Sequence, residues 1–282
     1  MRCAWQAFLN LLPLRMRQAV DMHGKNTLQE LRLRLGLAAE LIRSDGPKRI
    51  EEEVIIDDLR FVINAASRYS PWTAETTARG YITAPGGHRI GLCGQAVVSN
   101  GCMSGIREPT SLCIRVARDF AGLSCDVAVL KGSILIIGKP GSGKTTFLRD
   151  LIRERSERNL GSIAVVDERE EIFPVWNNTP CFFQGTRTDV LRGCPKAQGI
   201  DIVLRSMGPE TIAVDEITES EDCQALLQAG WCGVNLLATA HAGDLQDLMS
   251  RPVYRPIVRN RLFDTVVVLQ QDRSWKVERM ES

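Results

Sequence analysis

At 282 residues, with 44% hydrophobic and 24% charged positions, the chain can bury the core of one large domain or two ordinary ones. Lysine and arginine (35) nearly balance aspartate and glutamate (34), and the net charge of +1 excludes a global electrostatic pull toward nucleic acid or an anionic membrane. Nine cysteines, an odd number without a C-x-x-C pair, argue against a disulfide framework and favour the reducing cytosol. No apolar stretch approaches the ~20 residues of a membrane span, and the polar opening Met1 to Asn10 is no secretory leader. Any membrane association is therefore expected to come through a partner.

Along the chain, Leu28 to Gly36 alternates apolar and polar residues from Leu31, as in a half-exposed strand, and Leu37 to Arg43 is expected to pair back across the Gly36 turn. Ile55 to Ala66 has the apolar spacing of a helix. Tyr81 to Val98 reads as two short strands around Pro85-Gly86-Gly87, and Ser111 to Val116 as another strand. Residues 1–118 thus read as a small α+β domain without a nucleotide motif, followed by a linker over 119–132.

From Ser133 the rhythm becomes strand, helix, strand, and residues 133–282 read as one α/β domain with a parallel sheet. Ile134 to Ile137, Ser162 to Val166, Thr211 to Val214 and Val234 to Thr239 are the strands, and Thr145 to Arg158, Gly199 to Ser206 and Asp222 to Ala229 the helices. Between the first strand and helix stands Gly138-Lys139-Pro140-Gly141-Ser142-Gly143-Lys144-Thr145, a complete G-x-x-x-x-G-K-[ST] phosphate-binding loop, followed by Thr146. Glycines let backbone N–H groups turn inward, and the helix that follows presents its positive dipole end to phosphate oxygens. A nucleoside triphosphate is the expected ligand, with Lys144 on its β- and γ-phosphates and Thr145 on Mg²⁺.

Other strand ends in such a sheet are where catalytic groups belong. Thr211-Ile-Ala-Val-Asp-Glu216 is an apolar strand ending in two carboxylates, about 70 residues after the loop. Asp215 is expected to hold Mg²⁺ through water and Glu216 to polarise an attacking water, which favours hydrolysis over transfer. Ile163-Ala-Val-Val-Asp-Glu-Arg-Glu-Glu171 ends a second strand in acid, able to order water or Mg²⁺ ligands or simply to be solvated. Leu236-Leu-Ala-Thr-Ala-His241 ends a third, where Thr239 and His241 are placed to sense the γ-phosphate. Arg187 and Arg205 are candidates for an arginine delivered to the γ-phosphate of a neighbouring subunit, against the plain alternative of surface charge. Arg251, Arg255 and Arg259 recur every four residues and are expected as one basic stripe on a helix, more a solvated or intersubunit face than a nucleic-acid site.

At these residues the chain resembles the stage III sporulation protein AA family of endospore-forming bacteria, itself similar to the ring-forming secretion ATPases of type II and type IV systems. The resemblance rests on the Gly138 to Asp150 stretch, Val165 to Arg169, Arg187-Thr-Asp-Val-Leu-Arg-Gly-Cys-Pro-Lys-Ala197, Ala213 to Ile217, Ala238-Thr-Ala-His241, and in the first domain Gly80 to Thr83 with Gly86 to Gly91. It implies a RecA-like P-loop ATPase with ATP and Mg²⁺, acting in the mother-cell cytoplasm as a homo-oligomeric, hexameric ring on integral-membrane channel proteins. It also implies that Asp167, Glu168 and Glu171 form the acidic box of secretion ATPases and that His241 ends their histidine box. Where those relatives have glycine this chain has Asp215, which leaves the water-activating role open between Glu216 and Glu171. Pro71-Trp72 and Phe173 to Asn178 also depart from the family pattern. An ATP-gated scaffold with negligible turnover and a nucleic-acid-dependent ATPase are the competing readings. The intact Lys144, Asp215 and Glu216 set weighs against the scaffold, and the net charge of +1 against the nucleic-acid reading.

Overall fold

The computed structural model describes residues 2–67, 80–99 and 101–279. Its two compact units are Met1–Asp119 with Val175–Cys181, and Phe120–Pro174 with Phe182–Ser282. Pro71-Trp72 lies outside the described residues.

In the first unit, helices Trp5–Asn10 (α1), Leu14–Gly24 (α2) and Ile56–Ser67 (α3) accompany strands Leu28–Arg34 (β1), Ala38–Arg43 (β2), Lys48–Glu53 (β3), Tyr81–Thr83 (β4), Arg89–Ser99 (β5) and Cys102–Arg115 (β6). The sheet order is β3-β2-β1-β6-β5-β4, and each neighbouring pair is antiparallel. The alternation that marks β1 in the sequence buries Leu31 and Leu33, which share one core with Leu41, Ile90 and Ile114 and with Phe8, Leu12, Met16 and Val20 of the helices. β2 pairs back on β1 with Leu31 opposite Leu41, as the Gly36 turn suggests. Between β4 and β5 the Pro85–Gly87 turn is a single 3₁₀ turn with Gly86 at φ +79°.

The second unit holds Cys125–Ala128 (α4), Ile134–Gly138 (β7), Lys144–Glu157 (α5) and Ile163–Asp167 (β8). The hairpin Val175–Trp176 (β9) and Thr179–Pro180 (β10), which falls in the departing Phe173 to Asn178 segment, clusters with the first unit. Thr188–Arg192 (β11), Lys196–Met207 (α6), Thr211–Ile217 (β12), Ser220–Trp231 (α7), Asn235–Ala240 (β13), Leu245–Ser250 (α8), Arg255–Arg259 (α9), Thr265–Leu269 (β14) and Trp275–Arg279 (β15) complete the second unit. The sheet order is β11-β8-β12-β13-β7-β14-β15, with every pairing parallel except that of β15. Every residue of β7, β8 and β14 is buried, as a sheet covered on both faces requires. Because β8, β12, β13 and β7 are neighbours running the same way, one edge of the sheet collects Asp167, Asp215, Glu216, His241 and the phosphate loop.

Two features correct or refine the reading of the sequence. The expected basic stripe on one helix is not formed: Arg251 is extended (φ −81°, ψ 122°) between α8 and a 3₁₀ turn at Pro252–Tyr254, and only Arg255 and Arg259 share α9. Pro252 is the cause, since the residue before a proline is driven out of the helical region. Within 119–132, residues from Phe120 onward cluster with the second unit and are strapped to α5. Buried Asp150 accepts from the Gly122 N–H (3.1 Å) and from Ser124 N–H and Oγ (2.8 and 2.9 Å), and Arg155 donates to Leu130 O (2.7 Å).

Candidate active site

The phosphate loop is shaped by two glycines. A side chain at Gly138 would stand 2.5 Å from Ser142 Oγ and 2.9 Å from Leu269 O, so the turn closes only without one. Gly143 takes φ +97° as the residue that caps α5, a conformation that costs L-residues with a side chain about 1 kcal/mol or more. No side chain caps α5, so its first N–H groups face the loop free of a side-chain acceptor, the arrangement that binds anions at helix starts. Lys139, Pro140 and Gly141 are exposed on the loop, Ser142 is buried, and Thr145 and Thr146 are half-buried in the first turn of α5.

Lys144 is buried and donates Nζ to Gly138 O (2.9 Å), Lys139 O (3.2 Å) and His241 Nδ1 (3.0 Å). Burial pushes its ammonium below the usual lysine value, partly offset by the negative charges of Asp215 and Glu216. A phosphate arriving at α5 would supply the anionic partner that this buried cation lacks in the loop itself.

The end of β12 is built with strain. Val214 pairs with Ala238 and Ile217 with Ala240, so β12 fits one more residue than β13 into the same span, and Glu216 sits at φ +53° in the left-handed region. Thr239 of β13, fully buried, absorbs the disruption. Its Oγ1 accepts from the Glu216 N–H (2.7 Å) and donates to Asp215 Oδ1 (2.5 Å). Thr145 Oγ1 donates to Asp215 Oδ2 at 2.6 Å. The hydroxyl of Thr145 and the carboxylate of Asp215 are hard oxygen donors already within contact, the set a Mg²⁺ ion shared with phosphates takes from a protein. Beside them, His241 bridges the site: Nδ1 accepts from Lys144, which fixes the Nε2–H tautomer, and Nε2 donates to Glu216 Oε1 (3.0 Å). Tyr254, buried between them, donates its hydroxyl to Ile217 O (3.1 Å) and accepts the His241 N–H (3.3 Å), fixing the ends of β12 and β13 to each other.

Asp167 ends β8 nearly fully buried, and burial raises its carboxyl to about 6 despite N–H donors such as that of Phe173. Glu171 lies in the loop that follows, its N–H on Asp167 Oδ1 (2.9 Å). Between this loop and β12 is a recess of about 10 Å³, of the order of one water molecule, lined by Asp167, Glu171, Asp215 and Glu216 together with Arg169.

Of the residues singled out from sequence, Lys144, Thr145, Asp215, Glu216 and His241 are joined by hydrogen bonds, and Glu171 borders the same recess. Arg187 and Arg205 are elsewhere. Arg187 O accepts the Ile163 N–H at the start of β8 and its guanidinium donates to Asn159 (3.1 Å), while Arg205 is exposed in the last turn of α6, paired with Asp201 (2.9 Å). Both stand at the opposite end of the parallel strands from Lys144, Arg187 just before β11 and Arg205 in the last turn of the helix that leads into β12. Sequence reasoning gave no role to Arg149, Arg169, Lys196 or Tyr254. The available clue was a lone arginine inside an acidic run, Asp167-Glu-Arg-Glu-Glu171.

The family described as "Sporulation stage III, protein AA" matches residues 4–278. The stage III sporulation protein AA of Bacillus subtilis (strain 168) is 38% identical over 254 residues, 86% of this chain and 83% of that protein. Among solved structures, the ATPase DotB of Legionella pneumophila is similar with a TM-score of 0.55 at 18% identity, over 95% of this chain and 80% of DotB. The pilus retraction motor PilT, solved with bound ADP, is similar with a TM-score of 0.59 at 13% identity, over 94% of this chain and 83% of PilT. At these identities the likeness is one of fold: an antiparallel N-terminal sheet followed by the mostly parallel seven-stranded sheet of secretion ATPases.

Proposed function

This chain belongs to the stage III sporulation protein AA family, and on that footing we propose that it is a Mg²⁺-dependent ATP hydrolase, a homo-oligomeric ring that energises a membrane-embedded channel complex during endospore formation. The observation that carries the hydrolase reading is the chain Lys144–His241–Glu216, in which two hydrogen bonds of 3.0 Å link the phosphate-binding cation to the candidate base. A scaffold that only binds nucleotide has no use for a carboxylate held in that place.

ATP phosphates accept from the N–H groups at the start of α5 and draw Lys144 away from His241. Thr145 and Asp215 would hold Mg²⁺, whose charge neutralises the β- and γ-phosphate oxygens. Glu216 takes a proton from the water as its oxygen bonds to the γ-phosphorus and the bond to the ADP oxygen breaks. Thr239 keeps Asp215 and the strained Glu216 backbone in register throughout. Arg187 and Arg205, remote from the phosphate loop of their own chain, are free to serve a neighbour's site in a ring. Among the described residues no helix is long and apolar enough to cross a membrane, consistent with attachment through an integral-membrane partner.

The test is Glu216→Gln, which keeps shape and reach but removes charge and basicity. ATP should bind at least as tightly as to the parent, while single-turnover hydrolysis should fall by about a hundredfold or more. Glu171→Gln should cost less. A reversed ratio would move the base to Glu171, and a parent without turnover would leave the scaffold in place of the hydrolase.

A further inference from the structure

Glu216 is gripped at both carboxylate oxygens. Oε1 accepts from His241 Nε2 at 3.0 Å, and Oε2 pairs with Arg169 Nη1 at 2.9 Å. Arg169 comes from the loop after β8, and that loop is pinned on three sides. From the sheet, Asp167 accepts the N–H groups of Glu171 (2.9 Å) and Phe173 (2.8 Å). From the phosphate-loop helix, buried Arg149 donates to the carbonyls of Glu171 (2.8 Å) and Ile172 while its guanidinium lies over the Phe182 ring (4.4 Å). From α6, buried Lys196 reaches Glu168 Oε2 (2.6 Å), the residue just before Arg169.

So much fixation is out of proportion to what the Arg169–Glu216 pair gives to stability. With its side chains 50% and 28% exposed, the pair is screened by solvent and adds little to stability. What the pinned loop does deliver is a guanidinium at a defined place. Glu216 needs one, because its backbone is left-handed and His241, the other group on its carboxylate, also answers to Lys144, which must turn to the phosphates.

We propose that Arg169 is a positioning residue for Glu216, holding the carboxylate toward the water-sized recess while His241 and Lys144 rearrange around ATP. The inference rests on the hydrolase reading above. It assigns Arg169 no contact with the phosphates; its effect passes through Glu216 alone.

The experiment compares the full-length parent with Arg169→Ala, Arg169→Lys, Glu216→Gln and the double variant Arg169→Ala/Glu216→Gln, reading kcat, KM, ATP affinity and thermal midpoint. Arg169→Ala should lower kcat by roughly ten- to a hundredfold, the loss typical of a mispositioned group, with KM and ATP affinity within about twofold and an unchanged midpoint. Arg169→Lys should recover part of the loss. In the Glu216→Gln background, Arg169→Ala should add less than about a twofold loss, because the group it serves is gone. Losses that multiply in the double variant would overturn the proposal in favour of an arginine acting on the phosphates, and a faster Arg169→Ala would overturn it in favour of a brake. A parent that hydrolyses ATP with an unaffected Arg169→Ala removes this inference alone; a parent that does not hydrolyse removes the hydrolase reading together with it.

Discussion

His88, in the first unit, and His241, in the second, make the same two kinds of hydrogen bond, Nδ1 accepting and Nε2 donating. The partners differ. His88 is fully buried, edge-on to Phe8 at 5.2 Å, and takes the Ala117 N–H (3.0 Å) while giving to Ala4 O (3.1 Å). Three segments far apart in sequence are stapled by one ring. His241 is one-third exposed and joins the side chains of Lys144 and Glu216. Backbone partners cannot leave without unfolding something, whereas a lysine and a glutamate can exchange partners when a phosphate arrives. A histidine's role is thus decided by the mobility of what it bonds, which neither residue's sequence neighbourhood reveals.

Activity separates the two rings most strongly. His241→Ala removes one of the two grips on Glu216 and should lower single-turnover hydrolysis by about a hundredfold, with the thermal midpoint nearly unchanged. A large fall in the midpoint with normal turnover per folded molecule would make His241 another staple.

The converse holds for His88→Leu. It removes the hydrogen bonds to the Ala117 N–H and Ala4 O, each worth about 1 kcal/mol, so stability measured by denaturant unfolding should fall by about 2 kcal/mol while turnover of the folded fraction stays normal. Burial, helped by the Arg118 charge, depresses the imidazole from its ordinary 6.5 to about 4. Between those values the unfolded chain binds more protons than the folded one, so the stabilisation is full above about 6.5 and is lost as pH falls toward 4. The stability gap between parent and variant should narrow over that window; a constant gap would show that the ring is not held neutral by its surroundings.

The sequence makes the nucleotide half far more legible than the first. Buried parallel strands appear as unbroken apolar runs such as Ile134 to Ile137, and the phosphate loop and the Asp215-Glu216 pair have a fixed order that chemistry enforces. Lys48–Glu53 is a strand at the sheet edge with only Ile50 fully buried, so its sequence, Lys-Arg-Ile-Glu-Glu-Glu, carries no hydrophobic period. Thr188–Arg192 is likewise an edge strand with no fully buried residue, which is why its approach at Gly185 to Asp189 reads as irregular. Trp5–Asn10 and Leu14–Gly24 are short helices interrupted by Pro13, too brief for periodicity to register. Within the site, the residues visible in the sequence are those that face phosphate and water. Arg149, Arg169, Lys196 and Tyr254 act on other protein groups, and which groups those are depends on the folded loop after β8 and the packing around β12 and β13.

The smallest effect concerns Asp167, which tests whether the boundary between staple and working group also runs through the acidic loop. Its carboxyl is buried like His88 but lies at the functional edge, and both oxygens are engaged by the loop's own N–H groups. With a folded value of about 6 against the ordinary 3.8, the folded chain binds the extra proton between those values, so this group's contribution to stability declines as pH rises through the window. Crossing from pH 5 to 7 traverses about one unit of that window, a decline of about 1.4 kcal/mol. Asp167→Asn cannot titrate, although its amide turns a donor toward an N–H that wants an acceptor and so carries a fixed cost of its own. The expected result is therefore a trend. Whatever the offset at pH 5, the stability of Asp167→Asn relative to the parent should improve by about 1.4 kcal/mol by pH 7 in matched denaturant curves. A flat difference would mean that the loop N–H groups keep Asp167 ionised throughout. It would then be a charged member of the site whose field acts on the recess beside Glu216, and the acidic loop would belong wholly with His241.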